Sequence, residues 1–285
     1  MNLSLVICTR NRASQLDQSL KSLLRLRSGR SWQLVVVDNG STDDTQLVLE
    51  RFRTHFTHEF TLVVEPRPGL GTARNRGWTN ARGEIVAFTD DDCYPDEHFL
   101  MSVESCFNED SRLGFAGGRV LLHDPTDYTI TIQTESCRQE ILPGQFIPAG
   151  LIQGANFACR RAALADVSGF DERFGAGTLF PCEDVDILAR MSVRGWPGVY
   201  DPRLLVYHHH RRKSEEEVLR LKKQYDRGRG AYYAKCMLNP ALRMTYLKNW
   251  YWLVRRQSPW RTARELIASA EFLGCAGAAR LTGPK

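Results

Sequence analysis

Residues 33–45 read QLVVVDNGSTDDT. Leu34 to Val37 form a continuous apolar run of strand length, which reads as a buried strand. NGSTDDT follows, and there Ser41 can N-cap a helix with Asp44 three residues on as its capping-box partner. That helix is expected to run to about Arg53. The same unit recurs on both sides. Upstream, LSLVIC (3–8) is a strand, and Leu16, Leu20, Leu23 and Leu24 recur at helical spacing. Downstream, TLVVE (61–65) leads into RPGLGTARNRG, a helix that should stop near Gly83, and EIVAFTD (84–90) is a fourth strand.

Strands alternating with helices predict βαβ units, hence a parallel sheet with helices on both faces. Ligands of such sheets lie beyond the carboxyl ends of the strands. Thr9 and Arg10, Asp38 and Asn39, and Asp90 to Asp92 each follow a strand, so they should converge on one edge. The fourth strand ends in FTDDDC (88–93), three adjacent carboxylates behind a core run. A solvated acidic turn is one reading. A seat for a divalent cation, whose charge would offset the repulsion, is the other.

Beyond residue 115 the alternation weakens. FAGGRVLL (115–122) and YTITIQTES (128–136) have strand character, and this α+β half is expected to hold a second substrate. CEDVDILAR opens a helix at about Glu183 with Gly195 as its stop; Glu183, Asp184 and Asp186 suit its first turn through the helix dipole. Asp186 faces another way and reads as structural. VYHHHRR places His208, His209 and His210 in a row.

Composition is globular, with 42% hydrophobic and 25% charged residues. Charge is uneven: residues 1–210 hold 21 Lys and Arg against 27 Asp and Glu, and residues 211–285 hold 17 against 6. The basic part therefore suggests an anionic partner. It interleaves Tyr246, Trp250, Tyr251, Trp252 and Trp260 with Arg255, Arg256, Arg261 and Arg264. A helix at a membrane interface and a packed helix with snorkelling arginines share that pattern. The eight cysteines show no CxxC pairing and fit a reducing compartment. The N-terminal apolar run is too short for a signal peptide, and no run reaches the ~18 residues of a membrane span. A cytosolic protein, peripheral at most on a membrane, is expected.

Taken in order, VICTRNR, VVVDNGSTDDT, PGLGTARNRG, FTDDDC, QGANFACRRAAL, CEDVDILAR and VYHHHRR resemble the family-two glycosyltransferases over about residues 3–230. These are inverting enzymes of the GT-A fold that use nucleotide sugars. The resemblance implies an α/β chain with a Rossmann-like, mostly parallel sheet flanked by helices. Residues 1–115 would be the nucleotide-binding half, 116–230 the acceptor half, and 231–285 a basic aromatic helical tail. It implies a nucleoside diphosphate sugar as donor, UDP-linked by expectation, a glycan or lipid-linked acceptor, and Mn²⁺ or Mg²⁺ as cofactor. By motif position, Thr9, Arg10, Asp38, Asn39, Arg74, Asp90 and Asp91 would contact the donor, with Arg76 read as a solvated surface charge. Asp92 and His208 would hold the metal, although His209 or His210 could face the site instead. Asp184 would be the general base with Glu183 beside it, and Gly154 and Asn156 would touch the acceptor or sugar. Cys182 stands where the family usually has Gly. A sugar-1-phosphate nucleotidyltransferase would need a glycine-rich loop with a lysine, which CTRNRAS lacks. Two non-enzymatic functions compete with transfer: an inactive glycan- or membrane-binding module on the same fold, and nucleic-acid binding through the basic tail, for which no motif is present.

Overall fold

The four expected strand units form in the computed structural model, which describes residues 2–281; Met1 and residues 282–285, the end of the predicted tail, lie outside it. Strand β1 (Leu3–Thr9), helix α1 (Ala13–Leu23), β2 (Gln33–Asp38), α2 (Thr45–Arg53), β3 (Glu59–Val64), α3 (Leu70–Asn80) and β4 (Ile85–Asp90) follow in order. β1 pairs in parallel with β2 and β4, and β2 with β3. Successive side chains of a strand point to opposite faces. Leu3, Leu5, Ile7, Leu34 and Val36 accordingly join one core with Leu16, Leu20 and Leu49. Val6, Val35 and Val37 join a second core on the other face with Ala73. Burial on both faces is the reason these runs carry no polar alternation. Each such side chain contributes about 1.5–3 kcal/mol on full burial.

One local expectation fails. Helix α2 begins at Thr45 with Asp44 as N-cap and no side-chain cap, so the Ser41–Asp44 box does not form. Ser41 Oγ instead accepts from the Asn11 amide (3.0 Å), and Asp43 accepts from the Ala13 amide (3.1 Å). The polar residues of this loop hold the neighbouring β1–α1 loop, a tertiary demand that outweighs the local cap.

The second half adds β5 (Cys93–Pro95), α4 (Phe99–Glu109), β6 (Phe115–Leu122), β7 (Gln139–Ile141), β8 (Phe157–Arg160), α5 (Arg161–Asp166), α6 (Glu183–Val193) and β9 (Gly198–His208). The sheet runs β3-β2-β1-β4-β8-β6-β9-β5, with β7 on β9. β8 is antiparallel to β4 and β6, while β6 and β9 are parallel. Residues 128–136, read as a strand, form only the isolated bridge Val120–Gln133. That segment crosses to the cavity described below, where Ile130, Thr131 and Ile132 line the wall, and so leaves the ladder.

Three helices complete the chain: α7 (Glu215–Leu238), α8 (Arg243–Val254) and α9 (Pro259–Leu281). α7 starts at a capping box of Ser214 and Glu217 and continues unbroken through residue 230. Tyr232, Tyr246 and Phe272 build a third core with Phe174, Phe180 and Val185. The Tyr232 and Tyr246 hydroxyls lie 2.6 Å apart, and Tyr232 donates to the Ile147 carbonyl (3.0 Å). Tyr246 is thus packed, whereas Tyr251, Trp252 and Trp260 are exposed, the last at 77%. The packed reading of the aromatic segment applies to Tyr246, and the interfacial one concerns the exposed residues alone. A Cβ on Gly228 would stand 1.5 Å from the Pro181 carbonyl oxygen, so α7 lies backbone to backbone on the turn that precedes α6.

Gly228→Ala is expected to lower the stability by about 1–3 kcal/mol through overpacking. Urea denaturation reads this as a lower midpoint; an unchanged midpoint would mean that α7 does not rest on that turn.

Candidate active site

A cavity of about 1110 Å³ opens over the carboxyl ends of β1 and β4 and is walled by α6, α7 and α9. Thr9, Arg10, Asn39, Arg74, Gly154 and the acids Asp90, Asp91, Asp92, Glu183 and Asp184 line it, together with His208. The converging edge expected from the strand ends is therefore present, with two exceptions. Asp38 is fully buried and outside the lining; its oxygens accept from the Ser41 amide (2.9 Å) and Gln46 Nε2 (2.8 Å). Asn156, expected to touch sugar, is a core residue at 0% exposure. Its Nδ2 donates to the carbonyls of Arg119 (2.7 Å) and Leu204 (2.9 Å), so it closes two backbone groups in the sheet interior. Asn39 lines the cavity but serves the loop: its amide donates to the Glu65 and Arg67 carbonyls, and its oxygen accepts from the Gly69 amide.

Arg74 stands at the centre, 2% exposed. One Nη donates to Glu183 (2.6 Å); the other donates to Asp90 (3.1 Å) and to the Gly154 carbonyl (3.0 Å). Its guanidinium lies 5.3 Å from the Phe157 ring centroid. Its forked donors are thus turned on protein acids, and no local pattern around RNRG marks which ones. The Gly154 amide in turn donates to Asp184 Oδ2 (2.7 Å), and the Val185 amide to Asp184 Oδ1 (2.8 Å). Glu183 is committed to the guanidinium; Asp184 has no ion pair among the described residues. Loss of water on burial, and then the Glu183 charge, push the Asp184 carboxyl up to about 7. Asp186, by contrast, is held by Arg190 (2.9 Å) and Lys235 (2.6 Å), which is a structural role.

The acid triplet separates by environment. Burial, and then the Asp92 charge, raise Asp91 to about 7, although the Thr9 hydroxyl donates to it (2.7 Å). Burial also raises Asp90 against the attraction of Arg74. Asp92 moves the other way: burial is outweighed by the hydrogen bond and charge of His208, whose Nε2 lies 3.3 Å from Asp92 Oδ1. That meeting is made by the sheet, because β5 and β9 pair antiparallel with Cys93 opposite His208. Of the three histidines only His208 lines the cavity. His209 turns to Tyr94 (3.1 Å), and His210 packs against the Tyr128 carbonyl (3.0 Å).

Asp92, Cys93 and His208 bring ligand atoms within 4.8 Å of one another. A carboxylate oxygen and an imidazole nitrogen on a cavity wall are donors that suit Mn²⁺, whereas Mg²⁺ prefers oxygen. Thr131 Oγ1 donates to the Ile130 carbonyl and so accepts from His208 Nδ1 (3.2 Å), which fixes the ring with Nε2 towards Asp92, where a cation would take the place of the proton the two share. Thr131 sits at φ 56, a strained setting that local sequence did not mark. Also missed were Arg212 and Tyr225 on the wall. The signal for Arg212 was the positive charge of the last quarter of the chain, and Tyr225 had none.

A mixed sheet flanked by helices, with an acid-lined cavity over its carboxyl edge, is the architecture of the GT-A fold. The model of glycosyl transferase family 2 matches residues 4–172, more than half the chain, and the chain belongs to that family. It is similar to glycosyltransferase AglE of Haloferax volcanii, 25% identical over 61% of this chain and 57% of that one. A glycosyltransferase of Mycobacterium tuberculosis is 32% identical over 60% of this chain and 75% of its own length. YfnE of Bacillus subtilis is matched over 23% of its length, so this chain spans little more than half of AglE and about a quarter of YfnE. Among solved structures, mannosyltransferase PcManGT of Pyrobaculum calidifontis, in complex with GDP-Man and Mn²⁺, superposes with a TM-score of 0.69. It is 21% identical and covers 100% of this chain and 76% of its own. S. aureus TarS with UDP-GlcNAc gives 0.67 at 16% identity over 95% of this chain and 80% of that one. These likenesses establish the fold.

Removing a buried charge partner leaves the other side uncompensated, at a cost of about 3–5 kcal/mol. Arg74→Ala is expected to lose that much in urea denaturation at neutral pH; a loss below about 1 kcal/mol would show that water, not Arg74, neutralises Glu183 and Asp90.

Proposed function

We propose that this chain is a metal-dependent, inverting glycosyltransferase that moves a sugar from a nucleoside diphosphate sugar to a hydroxyl of a glycan or lipid-linked acceptor. The observation that carries the reading is the division between neighbouring acids. Glu183 is tied to Arg74, while Asp184 faces the cavity without a cation and with a carboxyl near 7. Such a group takes a proton readily at neutral pH, as a general base must. The backbone amides of Gly154 and Val185 fix its orientation. The acceptor oxygen forms its bond to C1 of the donor sugar as its proton passes to Asp184. The bond from C1 to the diphosphate oxygen breaks with its electron pair going to the leaving nucleoside diphosphate.

Asp92 and His208 would hold the cation, with Asp90, Asp91, Thr9 and Arg10 around the donor. When bound, a divalent cation offsets the negative charge that grows on the diphosphate. Arg212 adds a positive charge to the same end of the cavity and carries a buried Nη1 without a hydrogen-bond partner, a donor suited to a diphosphate oxygen. The bound neighbours, one with GDP-Man and Mn²⁺ and one with UDP-GlcNAc, support this donor class without choosing the base.

Calorimetry with UDP- and GDP-sugars in Mn²⁺, joined to a turnover assay, tests the reading. Asp92→Ala should abolish metal-dependent nucleotide binding. Asp184→Asn should keep it while kcat falls about 10²–10⁴-fold. In the wild type, kcat/KM should rise with pH through about 7 as Asp184 loses its proton, and that limb should vanish in the variant. Full turnover in excess chelator, or wild-type rates in Asp184→Asn, would sink the mechanism.

No described helix is long and apolar enough to cross a membrane. The exposed Tyr251, Trp252 and Trp260, with Lys248, Arg255 and Arg256 beside them, support a peripheral contact with an anionic lipid surface. Sedimentation with vesicles should show binding to phosphatidylglycerol and weaker binding to phosphatidylcholine. Trp252→Ala with Trp260→Ala should reduce it, and equal retention by variant and wild type would remove these residues from the contact.

A further inference from the structure

The wall of the cavity made by α7 and α9 is basic: Lys222, Arg227, Arg229, Arg261 and Arg264 line it. The acids beside them take up only part of that charge. Asp226 contacts Arg229, Arg261 and Arg264; Glu265 contacts Arg229 (3.0 Å) and Arg261 (3.5 Å); Glu271 takes Arg227 (2.7 Å). Five cations thus face three carboxylates, an excess of two positive charges. Lys222 has no carboxylate partner among the described residues, and the buried Nε of Arg227 has no hydrogen-bond partner, whereas the Nε of Arg261 lies 3.4 Å from Asp226 and 3.5 Å from Glu265. Buried donors are paired in nearly all proteins, so the Arg227 Nε is unexplained by the chain alone.

The position of the wall is set by contacts. They run from Asp90 through Arg74 to Glu183, and Gly154 links Arg74 to Asp184. Gly228 then lies on Pro181 and Cys182, directly before that acid pair. The arginines flanking Gly228 therefore stand beside the turn that leads into Asp184. The cavity, at about 1110 Å³, also exceeds the ~300–1000 Å³ usual for one small ligand.

We propose that this wall is the acceptor subsite and that the acceptor carries a phosphate or diphosphate ester next to the hydroxyl that Asp184 activates. The inference rests on the transfer reading above. Guanidinium forks match phosphate oxygens bidentately. Single carboxylates are already matched inside the wall, by Asp226 and Glu265. A phosphate monoester, at close to two negative charges, fits the excess of two and offers acceptors to Lys222 and to the unpartnered Arg227 Nε. A neutral sugar would leave them as they are. A soluble sugar phosphate and a lipid-linked diphosphate share this chemistry.

The test titrates methyl phosphate into the full chain already saturated with Mg²⁺ and a nucleoside diphosphate, so that the donor end is filled. Methyl phosphate is expected to bind, and about tenfold more weakly to Arg261→Gln and Lys222→Gln, whose side chains are partly exposed, with nucleotide affinity held within about twofold. Nucleotide binding without methyl phosphate binding, or equal affinity in all three proteins, overturns the inference alone. Absence of nucleotide binding overturns the donor reading and this inference with it. Turnover then separates the sources: a lower KM for a sugar phosphate than for the neutral sugar points to a soluble ester, and one seen only with a detergent-dispersed lipid-diphosphate sugar points to a lipid carrier. Equal KM for the neutral sugar overturns the proposal.

Discussion

The buried guanidinium of Arg74 is the interaction on which the rest of the site depends. It comes from α3, and it reaches an acid at the end of β4, an acid at the start of α6 and the carbonyl of Gly154. Those groups belong to segments separated by up to 109 residues. A point charge could neutralise one acid; the planar fork satisfies three acceptors at once. Its place over Phe157 adds contact with the sheet core. Because the Gly154 amide also holds Asp184, the same cluster that neutralises Glu183 orients its neighbour.

This arrangement explains how two adjacent carboxylates differ in chemistry. Position in the helix is nearly the same for Glu183 and Asp184, and both gain from the dipole of α6. What separates them is partnership: a full positive charge for one and two amide dipoles for the other. A similar division runs through the acid triplet, where His208 draws Asp92 down while burial lifts Asp91 to about 7. Environment, rather than residue type, assigns the roles.

Much of this could be read from the residues. Unbroken apolar runs marked β1 to β4 because burial on two faces tolerates no polar alternation, and the strand ends then gathered Thr9, Asp90, Asp91 and Asp92. Glu183 as the start of a helix was legible from its acids and its glycine stop. The misreadings share a cause. Ser41 resembled a cap but bonds to another loop; Asn156 resembled a sugar ligand but pairs with the carbonyls of Arg119 and Leu204. Residues 128–136 had strand character, yet Ile130, Thr131 and Ile132 among them line the cavity instead. In each case the deciding partner is distant in sequence. The surplus charge after residue 210 was plain, but its destination depended on Gly228 letting α7 sit against the turn at Pro181.

The pairing of β5 with β9 sets Cys93 opposite His208 and so brings together two donors far apart in the chain. The four strands that look like a complete nucleotide fold supply only Asp92 of that pair. Cation affinity at the proposed pair would therefore belong to the finished chain, gained when β9, the last strand, takes its place between β6 and β5. Non-local pairings of this kind are slow to form. A bound metal ion would serve as a clock for assembly, reporting the moment at which the final strand has found its register.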